Sequence, residues 1–265
     1  MQSNTSPGRH GAARVFHQGG LTLIELVVVI AILCAIAGMV SSYGSGIVRK
    51  SGGAIGGASL MEVMKAVDRH RTRHGRFPDG YDSLIGAPYT IYTGIPAASR
   101  RQLRPKDLDN ADRQVLRGFG ITTAWMHAAT DGQAVTWQPV STTKALDVNA
   151  GGFAADDAAI LDTSRIDPDT LFGRGTRKGT ANESFLVFGI GSRCSLVGAN
   201  AEMLQAPVAP AASAATDPHD FYMRLALVYR LDRADRRPLQ LLGAVAFTDT
   251  GIATSSDMAR TWHRK

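Results

Sequence analysis

The chain has 265 residues, a mass of 28.2 kDa and a formal net charge of +6, with 44% hydrophobic and 20% charged residues and a pI of about 9.6. That length suits one large or two small domains. The composition excludes a coiled-coil rod, a collagen, a disordered tail and a multi-span membrane protein, while the basic balance taken alone invites a nucleic-acid or anionic-surface reading.

The first twenty residues, MQSNTSPGRHGAARVFHQGG, carry Arg9 and Arg14 and no acid, and the first carboxylate in the chain is Glu25. Leu21–Val40, LTLIELVVVIAILCAIAGMV, is free of charged residues from Leu26 onward. At about 1.5 Å per residue such a helix would cross a hydrocarbon core of roughly 30 Å. Four readings compete for it. A secretory signal peptide would use Ala35-Ile36-Ala37 as its small-x-small cleavage site. A lipoprotein signal ending at Cys34 is set aside, because Leu33 stands where a small residue is needed. A plain single-span anchor is the third reading. The fourth accounts for Glu25. A carboxylate in a span is costly and calls for a partner. A cut between Gly20 and Leu21 would create a cationic α-amine at Leu21 and make Glu25 the fifth residue of the mature chain. The two charges could then neutralise each other, within one subunit or between neighbours in a bundle.

The run from Gly20 through Thr22-Leu23-Ile24-Glu25-Leu26 to Leu33 resembles the N-terminal signature of type IV pilins and type II secretion pseudopilins. In that family a membrane aspartyl peptidase cuts after the glycine and N-methylates the new terminus. The matching positions here are Gly20, Leu21 and Glu25. Two features depart from the commonest pattern: Leu21 stands where Phe is usual, and the leader of 20 residues is long for a pseudopilin. Arg9 and Arg14 before the span and Arg49 and Lys50 after it nearly balance, so charge does not orient it. The resemblance implies a leader in the cytoplasm, a single pass through the inner membrane, and a periplasmic head. Implied partners are other pseudopilins, a prepilin peptidase and an inner-membrane assembly platform; nucleic acid is not an expected partner.

Gly44, Gly46, Gly52, Gly53, Gly56 and Gly57 follow the span. They read either as a flexible linker or as a helix that stretches or melts in a filament, and both predict weak helical order. Helical spacing resumes from Ala58 to His74, with Leu60, Val63, Met64 and Val67 on one stripe and Arg69, Arg71 and Arg73 beyond it. Gly75 is a C-terminal stop and Pro78 bars continuation. A helix from Thr22 to His74 would be about 80 Å long. The turn His74–Gly86, with Gly75, Phe77, Pro78 and Leu84, is similar to the loop after the long helix in major pseudopilins, and favours the secretion type over adhesive pili.

Residues 87–183 offer few clear strands. Ile121–Met126 and Ala134–Val140 are candidates, joined by Asp131-Gly132, and Asn149–Gly179 reads as an irregular or short-helical insertion. Glu183–Ile190 is a strand. Phe221–Leu231 alternates, with Phe221, Met223, Leu225, Leu227, Tyr229 and Leu231 on one face and Arg224 and Arg230 on the other; Leu239–Thr248 pairs back on it, ending at Asp249-Thr250-Gly251. Pro207–Pro218 is an exposed loop. The expected fold is α+β and pilin-like: a long N-terminal helix and an antiparallel sheet head packed on its C-terminal half. The expected organisation is a removable leader at 1–20, a transmembrane or filament-core helix at 21–43, a glycine-rich segment at 44–57 and a head at 58–265.

No catalytic constellation is visible: no G-x-S-x-G, H-E-x-x-H or Walker A pattern occurs, and Ser192 and Cys194 have no identifiable base. Gly189-Ile190-Gly191 reads as a strand end rather than a dinucleotide motif. His70 and His74 have metal-binding spacing but lie among arginines, and read as a solvated basic face. Asp107, Asp109 and Asp112, and separately Asp162, Asp167 and Asp169, are acidic stretches without the glycine and glutamate of a calcium loop. Secretion pseudopilins often bind calcium in the head, so calcium stays open as a cofactor, with no ligands assigned. Cys34 lies in the apolar run and Cys194 in the polar part, so no intrachain disulfide is expected. The reading is a structural subunit of a type II secretion pseudopilus that works by assembly. The rivals are a type IV pilus or DNA-uptake minor pilin and a secreted enzyme released after Ala37.

Overall fold

The computed structural model describes residues 23–86, 90–127, 144–147, 158–209 and 222–258, with side chains described at 23–34, 56–86, 90–126, 158–209 and 222–258. Gly20 and Leu21, the candidate strand Ala134–Val140, its turn at Asp131-Gly132 and most of the Pro207–Pro218 loop lie outside the described residues. Two compact units are distinguished, Met1–Gly46 and Ile47–Lys265.

In chain order the elements are α1 (Leu23–His74), β1 (Tyr81–Gly86), β2 (Thr90–Ile91), α2 (Ala97–Arg100), β3 (Leu103–Lys106), α3 (Asn110–Gly118), β4 (Thr123–His127), β5 (Lys144–Asp147), β6 (Ala158–Leu161), α4 (Pro168–Phe172), β7 (Glu183–Gly189), β8 (Ala226–Asp232), β9 (Leu239–Thr248) and β10 (Gly251–Ala253). The class is α+β, an N-terminal helix followed by a mainly antiparallel sheet. The backbone of α1 is helical through the glycine-rich stretch. The helix stops where expected: Gly75 takes φ +69° and donates its N–H to the Arg71 carbonyl at 2.8 Å, the left-handed C-terminal cap for which glycine carries no Cβ penalty.

The sheet runs β10-β9-β8-β7-β1-β4-β5, with β2 on β1, and β6 bridging β7 and β3. All pairings are antiparallel except β1 with β4, a parallel pair that the hairpin-based reading did not foresee. Strand β4 takes β5 as its antiparallel neighbour, Trp125 opposite Ala145. One edge of β7 is filled by β8 along its length; the other is shared by β6 at Leu186 and Val187 and by β1 at Gly189.

The stripe of α1 supplies the first core layer. Leu60, Val63, Ala66 and Val67 are all at or below 1% exposure. They belong to one cluster with Leu186 and Phe188 of β7, Leu227, Tyr229 and Leu231 of β8, and Ala244 and Ala246 of β9. Alternation on a strand sends the intervening residues to the other face. That face is not solvated. Phe185, Val187, Ala226, Val228, Val245 and Phe247 form a second cluster with Leu84, Ile85, Ile91, Ile95 and Leu103. Residues 84–86 and 91–103, which include α2, supply apolar side chains to this second side, and Arg224 and Arg230 lie on it, opposite Leu225, Leu227 and Tyr229 as the alternation predicts, both buried, at 3% and 2% exposure.

Burial of Arg230 is balanced by carboxylates. Its Nε donates to Glu183 at 2.7 Å and its Nη2 to Asp232 at 2.8 Å and Asp235 at 3.1 Å. A second buried polar group lies at β1. Asp82 accepts the Tyr222 hydroxyl at 2.7 Å, and the space around this pair is closed by glycines. A Cβ at Gly189 would fall 2.1 Å from the Tyr222 hydroxyl, and one at Gly191 would fall 2.3 Å from Asp82 Oδ1. The Gly189-Ile190-Gly191 run is thus explained by close approach of backbone to a buried side-chain pair. Burial raises the Asp82 carboxyl from 3.8 to about 6, against the opposing pull of Arg224 and the Tyr222 hydrogen bond.

Two stability outcomes follow from these groups. Arg230→Met strands the Glu183 and Asp232 carboxylates in the interior and is expected to cost about 3–5 kcal/mol, read from urea unfolding midpoints. For Asp82 the folded state holds more protons than the unfolded chain between about pH 4 and 6, so its contribution to stability falls as pH rises through that window. Asp82→Asn keeps an acceptor for Tyr222 and removes this slope. Relative to the wild type, the variant should gain stability from about pH 4 to about pH 6.5; parallel unfolding curves for the two proteins would refute the assignment.

Candidate functional site

The first unit presents the N-terminal part of α1. Every described side chain from Leu23 to Cys34 is exposed, with Leu23 at 81%, Ile24 at 71% and even Val29 at 46%. Helical residues advance about 100° each, so twelve consecutive exposed positions cover the whole circumference, and all but Glu25 are apolar. A helix apolar on every side needs lipid or partner helices around it. Glu25 is the only carboxylate in the segment and falls in the first turn of α1, where the partial positive charge of the helix start favours an anion. Among the described residues no helix is long and apolar enough to cross a membrane. The side chains described within the run end at Cys34, and the twelve residues to that point rise only about 18 Å.

The acidic stretches of the head do local structural work. Asp109 caps α3, accepting the Asp112 N–H at 2.8 Å, and also takes the Arg233 guanidinium at 2.7 Å. Asp112 is buried and pairs with Lys106 at 3.0 Å. Asp162 accepts from Ser164, Asp167 caps α4, and Asp169 accepts the Arg177 N–H at 2.9 Å. Among the described residues no group of three or more His, Cys, Asp or Glu side chains is arranged to hold a metal ion. Cys194 is fully buried, and burial holds its thiol well above the ordinary range, the protonated and unreactive form.

Of the two histidines expected on a solvated basic face, His74 is exposed and His70 is not. His70 lies three residues after Val67 and seven after Val63, so it continues the buried stripe, and it is 8% exposed. Its ring stands 4.4 Å from that of His74. Burial, then the charges of His74, Arg76 and Arg73, lower its pKa, while Glu202 raises it. These residues line a cleft of about 420 Å³ between the end of α1, the turn at Arg76–Asp79 and the loop from Ser195 to Glu202. Glu202 reaches across to bind Arg69 Nε at 3.1 Å and Arg73 Nη1 at 2.8 Å. Asp79 is held elsewhere: it accepts the backbone N–H groups of Thr122 at 2.8 Å and Thr123 at 2.7 Å, and the Thr122 hydroxyl. Sequence reasoning missed Glu202, since no local motif announces a residue whose partners lie more than 120 positions away. His70 carried a signal in its helical spacing.

Residues 16–41 match the prokaryotic N-terminal methylation motif, the prepilin-type cleavage and methylation signature of type IV pilins and pseudopilins. The matched span contains Gly20, Leu21 and Glu25 and takes in the whole apolar run, ending at Ser41. No curated protein and no solved structure matches the chain.

Replacing Glu202 tests the cleft's electrostatics. Glu202→Gln removes the one neighbour that raises the His70 pKa, so the His70 imidazole should titrate at lower pH than in the wild type, as followed by its ring-proton NMR shifts. An unchanged or higher titration point would contradict this geometry.

Proposed function

We propose that the chain is the precursor of a pilin-like structural subunit of a type II secretion pseudopilus, cut between Gly20 and Leu21 and polymerised through the helix that begins there. The observation that carries this reading is the coincidence of the methylation motif at 16–41 with a helix exposed and apolar on every side. Cleavage by a prepilin peptidase leaves an α-amine at Leu21, which the same enzyme methylates. Glu25, one helical turn on, then pairs with the Leu21 amine of a neighbouring subunit. Two charges that are each costly in an apolar bundle are neutralised together, and the pairing fixes the stagger of adjacent helices. Before assembly the helix resides in the inner membrane, with the leader in the cytoplasm and the head in the periplasm, where an assembly platform and other pseudopilins meet it. The function is assembly in support of protein export, not catalysis. The Gly75, Phe77, Pro78 and Leu84 turn supports the secretion type over an adhesive pilus.

Mass spectrometry of the mature N-terminus is the direct test. N-methyl-leucine at position 21 is expected, whereas a chain beginning at Gly38 would identify a signal-peptidase substrate and overturn the reading. Glu25→Ala should leave cleavage intact and lower incorporation into filaments by roughly tenfold or more, the consequence of an uncompensated amine in an apolar bundle. Filament incorporation equal to wild type would remove the pairing from the mechanism. Salt-dependent retention of duplex DNA by the head would move the chain to a DNA-uptake system instead.

A further inference from the structure

The cleft at the end of α1 belongs to the second compact unit. One wall is cationic, with Arg73, Arg76 and the His70–His74 pair. Val197 and Ala201 give it an apolar patch. Of the two carboxylates that line it, Asp79 is committed to Thr122 and Thr123. Glu202 alone is left to face the cations, and it already engages Arg69 and Arg73. His70, Arg73, His74 and Arg76 all line the cleft, so the basic side chains there outnumber the single carboxylate left to face them. Its volume of about 420 Å³ suits one or two side chains rather than a folded surface.

We propose that this cleft is a docking site for a carboxylate-bearing peptide segment of a partner protein, with Arg73 and Arg76 taking the carboxylate and Val197 and Ala201 the adjoining apolar side chain. Glu202 supplies the internal precedent: a carboxylate sits against this arginine wall at hydrogen-bonding distance. The apolar wall favours a peptide over a bare oxyanion. This inference is independent of the filament reading, because every residue in it belongs to the head.

A bound carboxylate would add negative charge beside His70 and favour its imidazolium. The groups facing His70 are His74 and Arg73 on α1, Arg76 in the following turn and Glu202 on the opposing loop. Arginine stays cationic across this range, so the His70 imidazole is the group that couples binding to pH. Docking should tighten as pH falls from about 8 to about 6.

The test is fluorescence anisotropy of the full chain in neutral detergent micelles, with a labelled hexapeptide of Glu, Phe and Gly as probe. Expected results are saturable binding, a Kd at least about threefold lower at about pH 6 than at about pH 8, and roughly tenfold weaker binding by Arg76→Ala. A hexapeptide with Lys in place of Glu should not bind. His70→Gln should flatten the pH dependence; since His70 is buried and that variant could misfold, the exposed Arg76→Ala change carries the test by itself. Absence of binding, or an unchanged Kd in Arg76→Ala, would overturn the proposal. So would displacement of the peptide by an equal concentration of inorganic phosphate, which would assign the cleft to free oxyanions.

Discussion

The head depends on one packing contact: the stripe of α1 at Leu60, Val63, Ala66 and Val67 laid against the helix-facing side of β7, β8 and β9. A strand pair cannot bury its backbone or its apolar face alone, and a helix of this composition gains most of its stability from tertiary packing rather than propensity. Each therefore needs the other. The small side chains on both sides, Ala66 on the helix and Ala244 and Ala246 on β9, are consistent with close approach of helix and sheet, and the larger Leu60, Leu186 and Leu227 fill the space around them. The cap at Gly75 fixes where the helix ends, and so where the chain turns back toward β1.

The second face of the sheet explains why the head is larger than a single helix-on-sheet layer requires. Leu84, Ile85, Ile91, Ile95 and Leu103 pack there with Phe185, Val187, Val228 and Phe247. Covering both faces forces polar groups inward. Arg230 and Asp82 are the two conspicuous cases, handled differently: Arg230 is surrounded by carboxylates, while Asp82 is answered by a tyrosine hydroxyl and by burial that favours its neutral form. Leu84 belongs to the same compromise. It sits at φ +61°, in the left-handed region that costs a non-glycine residue roughly 1–2 kcal/mol. The strain coincides with the register shift in the β1–β4 pairing and lets both Leu84 and Ile85 reach the second core.

The N-terminal part of α1 and the cleft obey opposite physics. The N-terminal part of α1 is almost featureless chemically; what distinguishes it is apolar surface on every side with one carboxylate in its first turn. The cleft is the reverse, a small concave surface in which charge is concentrated and unevenly balanced. The first suits a repetitive contact among identical helices. The second suits recognition of one particular group.

Sequence alone determined the elements whose signal is local. The apolar run and Glu25 are readable because composition over some twenty residues is decisive. The Gly75 stop and the strands Glu183–Gly189 and Leu239–Thr248 are readable because a turn residue or a period-two pattern marks them. Helix α3 is marked too, by Asp109 at its cap and Asp112 one turn on, a capping pattern that in sequence is indistinguishable from an acidic stretch. Strands β3 and β6, four residues each, carry too few residues for any period to show. The tertiary structure decided the rest: the parallel β1–β4 pair, the burial of Arg224 and Arg230, and the meeting of Glu202 with Arg69 and Arg73. These depend on which surfaces come together after the helix and sheet have packed, and no spacing along the chain encodes contacts such as Tyr81 opposite Ala124 or Arg69 with Glu202.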